Sequence, residues 1–161
     1  MNRRNMWCFL AILLPIVTLF ANPAPAADIA VVANKDVPVD NLTFAELRKI
    51  LLGDRQFWSS SIRVTLLIHA PVARERDVVL KNVLEMSEAQ FRQYWIGKVF
   101  RAESSVAPKT VDTNERAAAL VTNIPGAVAF MDAEQVPRDA KVLKVDSLLP
   151  GQKGYPLRYI P

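Results

Sequence analysis

Cysteine is nearly missing from these 161 residues: Cys8 is alone, and it lies in an apolar N-terminal run. No disulfide framework or thiolate metal site can be built without a second cysteine. Histidine also occurs once, as His69, so zinc sites of the usual kinds lack ligands, and no Asp-rich loop has the spacing of a calcium site. The five glycines are Gly53, Gly97, Gly126, Gly151 and Gly154, and none belongs to a phosphate-cradling glycine loop. Ser59, Ser60 and Ser61 have no G-x-S-x-G elbow around them. Basic residues are interspersed with acidic ones, and no basic stripe alternates with aromatics as nucleic-acid surfaces do. Together these absences leave no candidate catalytic residue, no metal and no cofactor. The chain is expected to bind rather than to catalyse.

Residues 1–26 have the order of a secretory signal. Arg3 and Arg4 are followed by an apolar core over 6–20, then by a stretch ending in the small residues Ala24 and Ala26. The run is short for a membrane span and contains Pro15. Cleavage is expected near Ala26, leaving a protein without membrane insertion, periplasmic or secreted. Of the 20 Lys and Arg, two fall in that segment, so eighteen face 16 Asp and Glu in residues 27–161. These 135 residues suffice for one ordinary domain with its own core.

Four strand-like runs follow: IAVVA at 29–33, RVTLLI at 63–68, AVAFM at 127–131 and KVLKV at 141–145. The first three are almost continuously apolar, as strands buried on both faces are. The last alternates and reads as an edge or half-exposed strand. Thr43 with Glu46, and Ser87 with Gln90, are spaced as capping boxes that open helices. The second of these helices predicts a buried stripe of Phe91, Tyr94, Trp95 and Val99. A third begins near Asp112 and Glu115 and ends at Pro125-Gly126, and a fourth covers 74–84. The tail after 149 reads as irregular, with Tyr155 and Tyr159 on the surface. Strands alternating with helices predict an α/β fold with a mainly parallel central sheet and helices on both faces.

Two stretches carry a family resemblance. One is LTFAELRKILLGDRQFW at 42–58, and the other is PGAV at 125–128. In this order and separation they resemble the phosphate-binding periplasmic proteins of ABC transporters, within the type 2 periplasmic-binding superfamily, and in particular its short single-lobe members. The resemblance implies one periplasmic-binding-type lobe over 27–161. It implies phosphate or a similar small anion as ligand, and an ABC transporter or another periplasmic protein as partner. The full-length proteins clasp their ligand between two lobes. A second copy or a partner would therefore have to complete the clasp here, and self-association is one way to do so.

The site follows from the same resemblance and from the strand-to-helix loop HAPVARERD at 69–77, because the first amides of a helix are free to meet an anion. His69, Arg74 and Arg76 are candidates from this loop, and Asp112, Thr113 and Asn114 from the entrance to the third helix. The family's small and hydroxylated residues are absent from the loop, and Glu75 brings a negative charge. Ala129 and Phe130 stand where many relatives have glycine and tyrosine. Two readings stay open. Either Arg74 and Arg76 replace the lost donors by charge-assisted bonds, or residues 74–77 are a solvated helical turn with local ion pairs. Likewise Asp112 or Thr113 is either a ligand or a helix cap. The alternative function is a sensor-accessory or interaction protein whose former ligand face binds another protein, and exposed apolar side chains there would favour it.

Overall fold

The computed structural model describes residues 28–104 and 106–159. The signal-like segment at 1–26 lies outside the described residues.

Six strands form one mixed sheet. They are β1 (Ile29–Ala33), β2 (Asn41–Leu42), β3 (Thr65–His69), β4 (Lys109–Val111), β5 (Ala127–Asp132) and β6 (Lys141–Val145). Their order is β2-β6-β1-β5-β3-β4. β3 runs parallel to β4 and β5, and β2 parallel to β6, whereas β1 is antiparallel to both neighbours, β5 and β6. The lobe is thus α/β, with a sheet in which the parallel part is concentrated at β5-β3-β4. β6 is not an edge, because the two-residue β2 covers it, but it is half-exposed, the other form its alternation allowed.

Strand alternation divides the core between the two faces, as a pleated chain requires. Ile29, Val31, Leu66, Ile68, Val128, Phe130, Leu143 and Val145 point to one side. There they meet α1 (Phe44–Leu51), α2 (Arg74–Val78) with its π-helical continuation Val79–Leu84, and α3 (Glu88–Phe100). Ala30, Val32, Leu67, Ala127, Ala129 and Met131 point to the other side and pack on Ala117 and Val121 of α4 (Asn114–Asn123). The small residues on that face let a single helix lie close.

The helix entrances follow the sequence. Thr43 accepts from the Glu46 amide while the Glu46 carboxylate takes the Thr43 amide, and Ser87 and Gln90 do the same for α3. Each such cap contributes about 1 kcal/mol. Two details differ from expectation. Tyr155 is buried, donating its hydroxyl to the Ile29 carbonyl at 2.9 Å. Val99 is exposed rather than part of the buried stripe of α3. No described helix is long and apolar enough to cross a membrane.

The turn into β5 is fixed from two directions. The Trp58 indole donates to the Gly126 carbonyl at 2.8 Å, and the Thr65 amide donates to the same oxygen at 3.0 Å. Gly126 has φ +70°, and a Cβ there would lie 2.0 Å from the Arg63 carbonyl oxygen. Gly126→Ala is expected to lower unfolding free energy by about 3 kcal/mol, from left-handed strain plus a backbone clash. Urea denaturation of the two proteins measures it, and a loss under about 1 kcal/mol would mean that the turn relaxes freely.

Candidate ligand site

The parallel strands β5, β3 and β4 end together, and in open α/β sheets the crevice beyond such carboxyl ends is where ligands lie. Here those ends carry Asp132, His69 and Asp112. α2 starts just beyond β3 and α4 just beyond β4, so all six candidate residues fall around one end of the sheet.

Three of them, Arg74, Arg76 and Asn114, the fold pairs internally. Arg74, at the first turn of α2, forms an ion pair with Asp132 and lies over the Tyr159 ring at 5.7 Å. Arg76 is buried and grips Glu88 with two bonds, Nε to Oε2 at 2.7 Å and Nη2 to Oε1 at 2.8 Å. Its third donor reaches the His69 carbonyl at 2.9 Å, and the guanidinium lies over Phe91. This fork geometry is the strong form of an arginine–carboxylate bond. Glu75 and Arg76 are both buried, so the segment is neither an open cradle nor a solvated turn. Within this segment Asp77 forms a local, exposed ion pair with Lys81.

Asn114 ties the ends together. Its amide donates to Glu75 at 2.9 Å and to Gln135 at 3.0 Å, while its oxygen accepts from the Asp132 amide at 3.3 Å. Thr113 caps α4, accepting from the Arg116 amide at 3.2 Å, and Asp112 is exposed beside it. Glu75, Glu88, Asp132 and Gln135, which hold these residues in place, are absent from the sequence-derived set. Asp132 had a signal: it is the first charge after a fully apolar strand, at the end of the sheet where a ligand would lie. Glu88 had none beyond its place in the first turn of a helix. Among the described residues, no group of three or more His, Cys, Asp or Glu is placed to hold a metal ion.

His69 is 2 % exposed, and neither ring nitrogen has a hydrogen-bond partner. Burial pushes its pKa below the ordinary histidine value, against the opposing pull of the nearby Glu75 and Asp112 carboxylates. The ring is therefore carried neutral. The loop before α2 has a strain of its own. Ala73 donates back to the Ala70 carbonyl at 3.2 Å, closing a turn in which Val72 has φ +71° and is fully exposed. A β-branched residue is poorly suited to that position, which glycine normally takes.

Two outcomes are expected. An unfolded chain binds a proton at His69 more readily than the folded one, so stability should fall as pH drops below about 6.5. His69→Leu should remove that part of the dependence below about pH 6.5. Thermal melts across this range check it, and an unchanged slope would mean that the folded protein protonates the ring freely. Val72→Gly should raise unfolding free energy by about 1 kcal/mol by relieving the left-handed strain, as read by urea denaturation. A loss instead would mean that the valine side chain makes stabilising contacts.

No family model matches the sequence. Among solved structures, the chain is similar to an ABC-type phosphate transport receptor from Vibrio cholerae, with TM-score 0.66 and 20 % identity over 82 % of this chain and 54 % of that one. It is similar to PstS from Borrelia burgdorferi, with TM-score 0.65 and 15 % identity over 83 % and 55 %. It is also similar to a Clostridium perfringens protein assigned as a phosphate ABC transporter substrate-binding protein and solved with bound phosphate, with TM-score 0.61 and 18 % identity over 76 % and 46 %. The chain spans about half the length of these proteins. At these identities the likeness is one of fold: a single α/β lobe of the periplasmic-binding type.

Proposed function

We propose that this chain is an exported, solute-binding-type lobe over residues 27–161, periplasmic after loss of residues 1–26, that works by binding and not by catalysis. Its face at the carboxyl ends of β3, β4 and β5 engages a protein in preference to phosphate, in a transport-associated or sensor-accessory role. One observation carries this reading: Arg74 and Arg76 are both closed onto carboxylates, while the neighbouring surface leaves Val72, Ile96, Val99 and Phe100 exposed. A phosphate entering there would come up against Arg74 and Arg76 already neutralised by Asp132 and Glu88, and each arginine would have to abandon a partner. Large apolar side chains grouped on a surface mark contact sites for other macromolecules. The fold alone does not decide the matter, since one fold hosts many sites.

A second reading has one observation in its favour. The Arg74 side chain is 35 % exposed, so a small anion could compete with Asp132 for it and bind weakly, with Thr113 and Asn114 nearby. Isothermal titration separates the two readings, using protein purified after export of the full 161-residue sequence. The expected result is no saturable heat with phosphate or with sulfate. Saturable phosphate binding that disappears in Arg74→Ala would overturn the protein-face reading and establish the anion site.

A further inference from the structure

Two hollows border α3. One is a wide apolar groove lined by Pro71, Phe91, Ile96 and Phe100. The other is a narrower crevice of about 170 Å³ at the amino ends of β3 and β4, at the opposite end of those strands from His69 and Asp112. Ile50 at the end of α1, Leu66 of β3 and Trp95 of α3 give this crevice an apolar wall. Gly53 makes room for the indole, since a Cβ there would lie 2.5 Å from Trp95 Cη2. The Trp95 side chain is buried, and its nitrogen has no hydrogen-bond partner. A buried donor without an acceptor is uncommon and marks a place where the folded chain has left a polar demand unmet.

The rest of the lining is cationic. It holds Arg55, Arg63 and Lys109 with the polar groups of Gln56 and Thr65, and among the described residues no Asp or Glu lines it. Arg55 is anchored through Nη1 to Glu46 at 3.2 Å, while Arg63 lies over the Phe57 ring and donates to Gln56 at 3.3 Å. Lys109 is exposed and makes no ion pair among the described residues. Helix α1 ends here, and free carbonyls at a helix end repel an anion. Those carbonyls are already taken, with the Gly53 amide on Ile50 at 3.0 Å and the Asp54 amide on Lys49 at 2.8 Å.

We propose that this crevice binds a small carboxylate with a short hydrocarbon tail. The tail lies on Ile50, Leu66 and Trp95, and the carboxylate meets Lys109, Arg55 and the Thr65 hydroxyl. A cavity of about 150 Å³ holds a molecule the size of benzene, which limits the tail to a few carbons. Inorganic phosphate would match the charge but gain nothing from an indole and two aliphatic side chains, whereas small-molecule sites combine an apolar wall with a few placed polar groups. None of the lining residues belongs to the network at the carboxyl ends of the strands, so the site stands apart from the protein-face reading above.

Isothermal titration of the exported protein with sodium butyrate, and with butyramide as its neutral analogue, tests this. The expected result is saturable butyrate binding with a Kd on the order of 1 mM, and butyramide weaker by about tenfold because it lacks charge-assisted bonds. Lys109→Gln, at an exposed position, should weaken butyrate about fivefold, and Arg74→Ala should leave it unchanged. No saturable heat with butyrate overturns the proposal, and so does equal affinity for butyramide. Butyrate binding that is undiminished in Lys109→Gln and in Thr65→Val but disappears in Arg74→Ala also overturns it, and puts the anion at the carboxyl ends of the strands instead.

Discussion

Two carboxylates are buried where the parallel strands end, and much of the surrounding geometry follows from the need to neutralise them. Asp132 closes β5 and Glu75 lies in the first turn of α2, both largely withdrawn from water. A buried carboxylate without partners is strongly disfavoured. Asp132 takes Arg74 and the Glu134 amide, and Glu75 takes the Asn114 amide. Because Asn114 begins α4 and Arg74 begins α2, those bonds fix how both helices meet the sheet. Arg74 and Asn114 are thus spent on joining the lobe to itself.

The scaffold was legible in the sequence because its signals are local. Two capping boxes, four apolar runs and the Pro125-Gly126 stop each depend on residues within one turn of each other, and each has its counterpart in the structure. β2 and β4 were not legible, since two and three residues are too few to display a period. Their absence from the reading also made β6 look like an edge. The antiparallel setting of β1 has no local signature either, because direction is decided by which strands it joins. In the site, the partners of Arg74 and Arg76 lie 58 and 12 residues away. Local spacing offered Glu75 and Asp77 as counter-ions instead, and only Asp77 behaves locally, with Lys81. The stripe on α3 was misread at Val99 for the same reason: nothing nearby announces that Lys98 turns inward to Asp54.

Strain and exposure coincide around this end of the lobe. Val72 is held in a conformation that suits glycine, with its side chain in solvent, beside Pro71, which lines the apolar groove. Stability alone would favour glycine at 72 and polar residues at 96 and 100. Positions that sacrifice stability in this manner are commonly kept for contact with something outside the chain. Lys98 argues the same way, since burying an ammonium costs more than burying the phenylalanine that the helix exposes two residues later.

The magnitudes favour a closed anion site over a merely weakened one. Pulling an arginine away from a buried carboxylate costs about 3 kcal/mol, and more when the pair is bidentate. At about 1.4 kcal/mol per tenfold, one such rupture weakens a micromolar anion site about a hundredfold, to roughly 0.1 mM. Approaching Arg76 as well would break its fork with Glu88 and leave the His69 carbonyl without its donor. A ligand that is itself a single small anion brings too few contacts to offset both. A protein surface has no such difficulty, because it can bury Ile96, Val99 and Phe100 and leave every internal ion pair intact. With carboxylates at 75 and 132, these strand ends are suited to holding the lobe rigid.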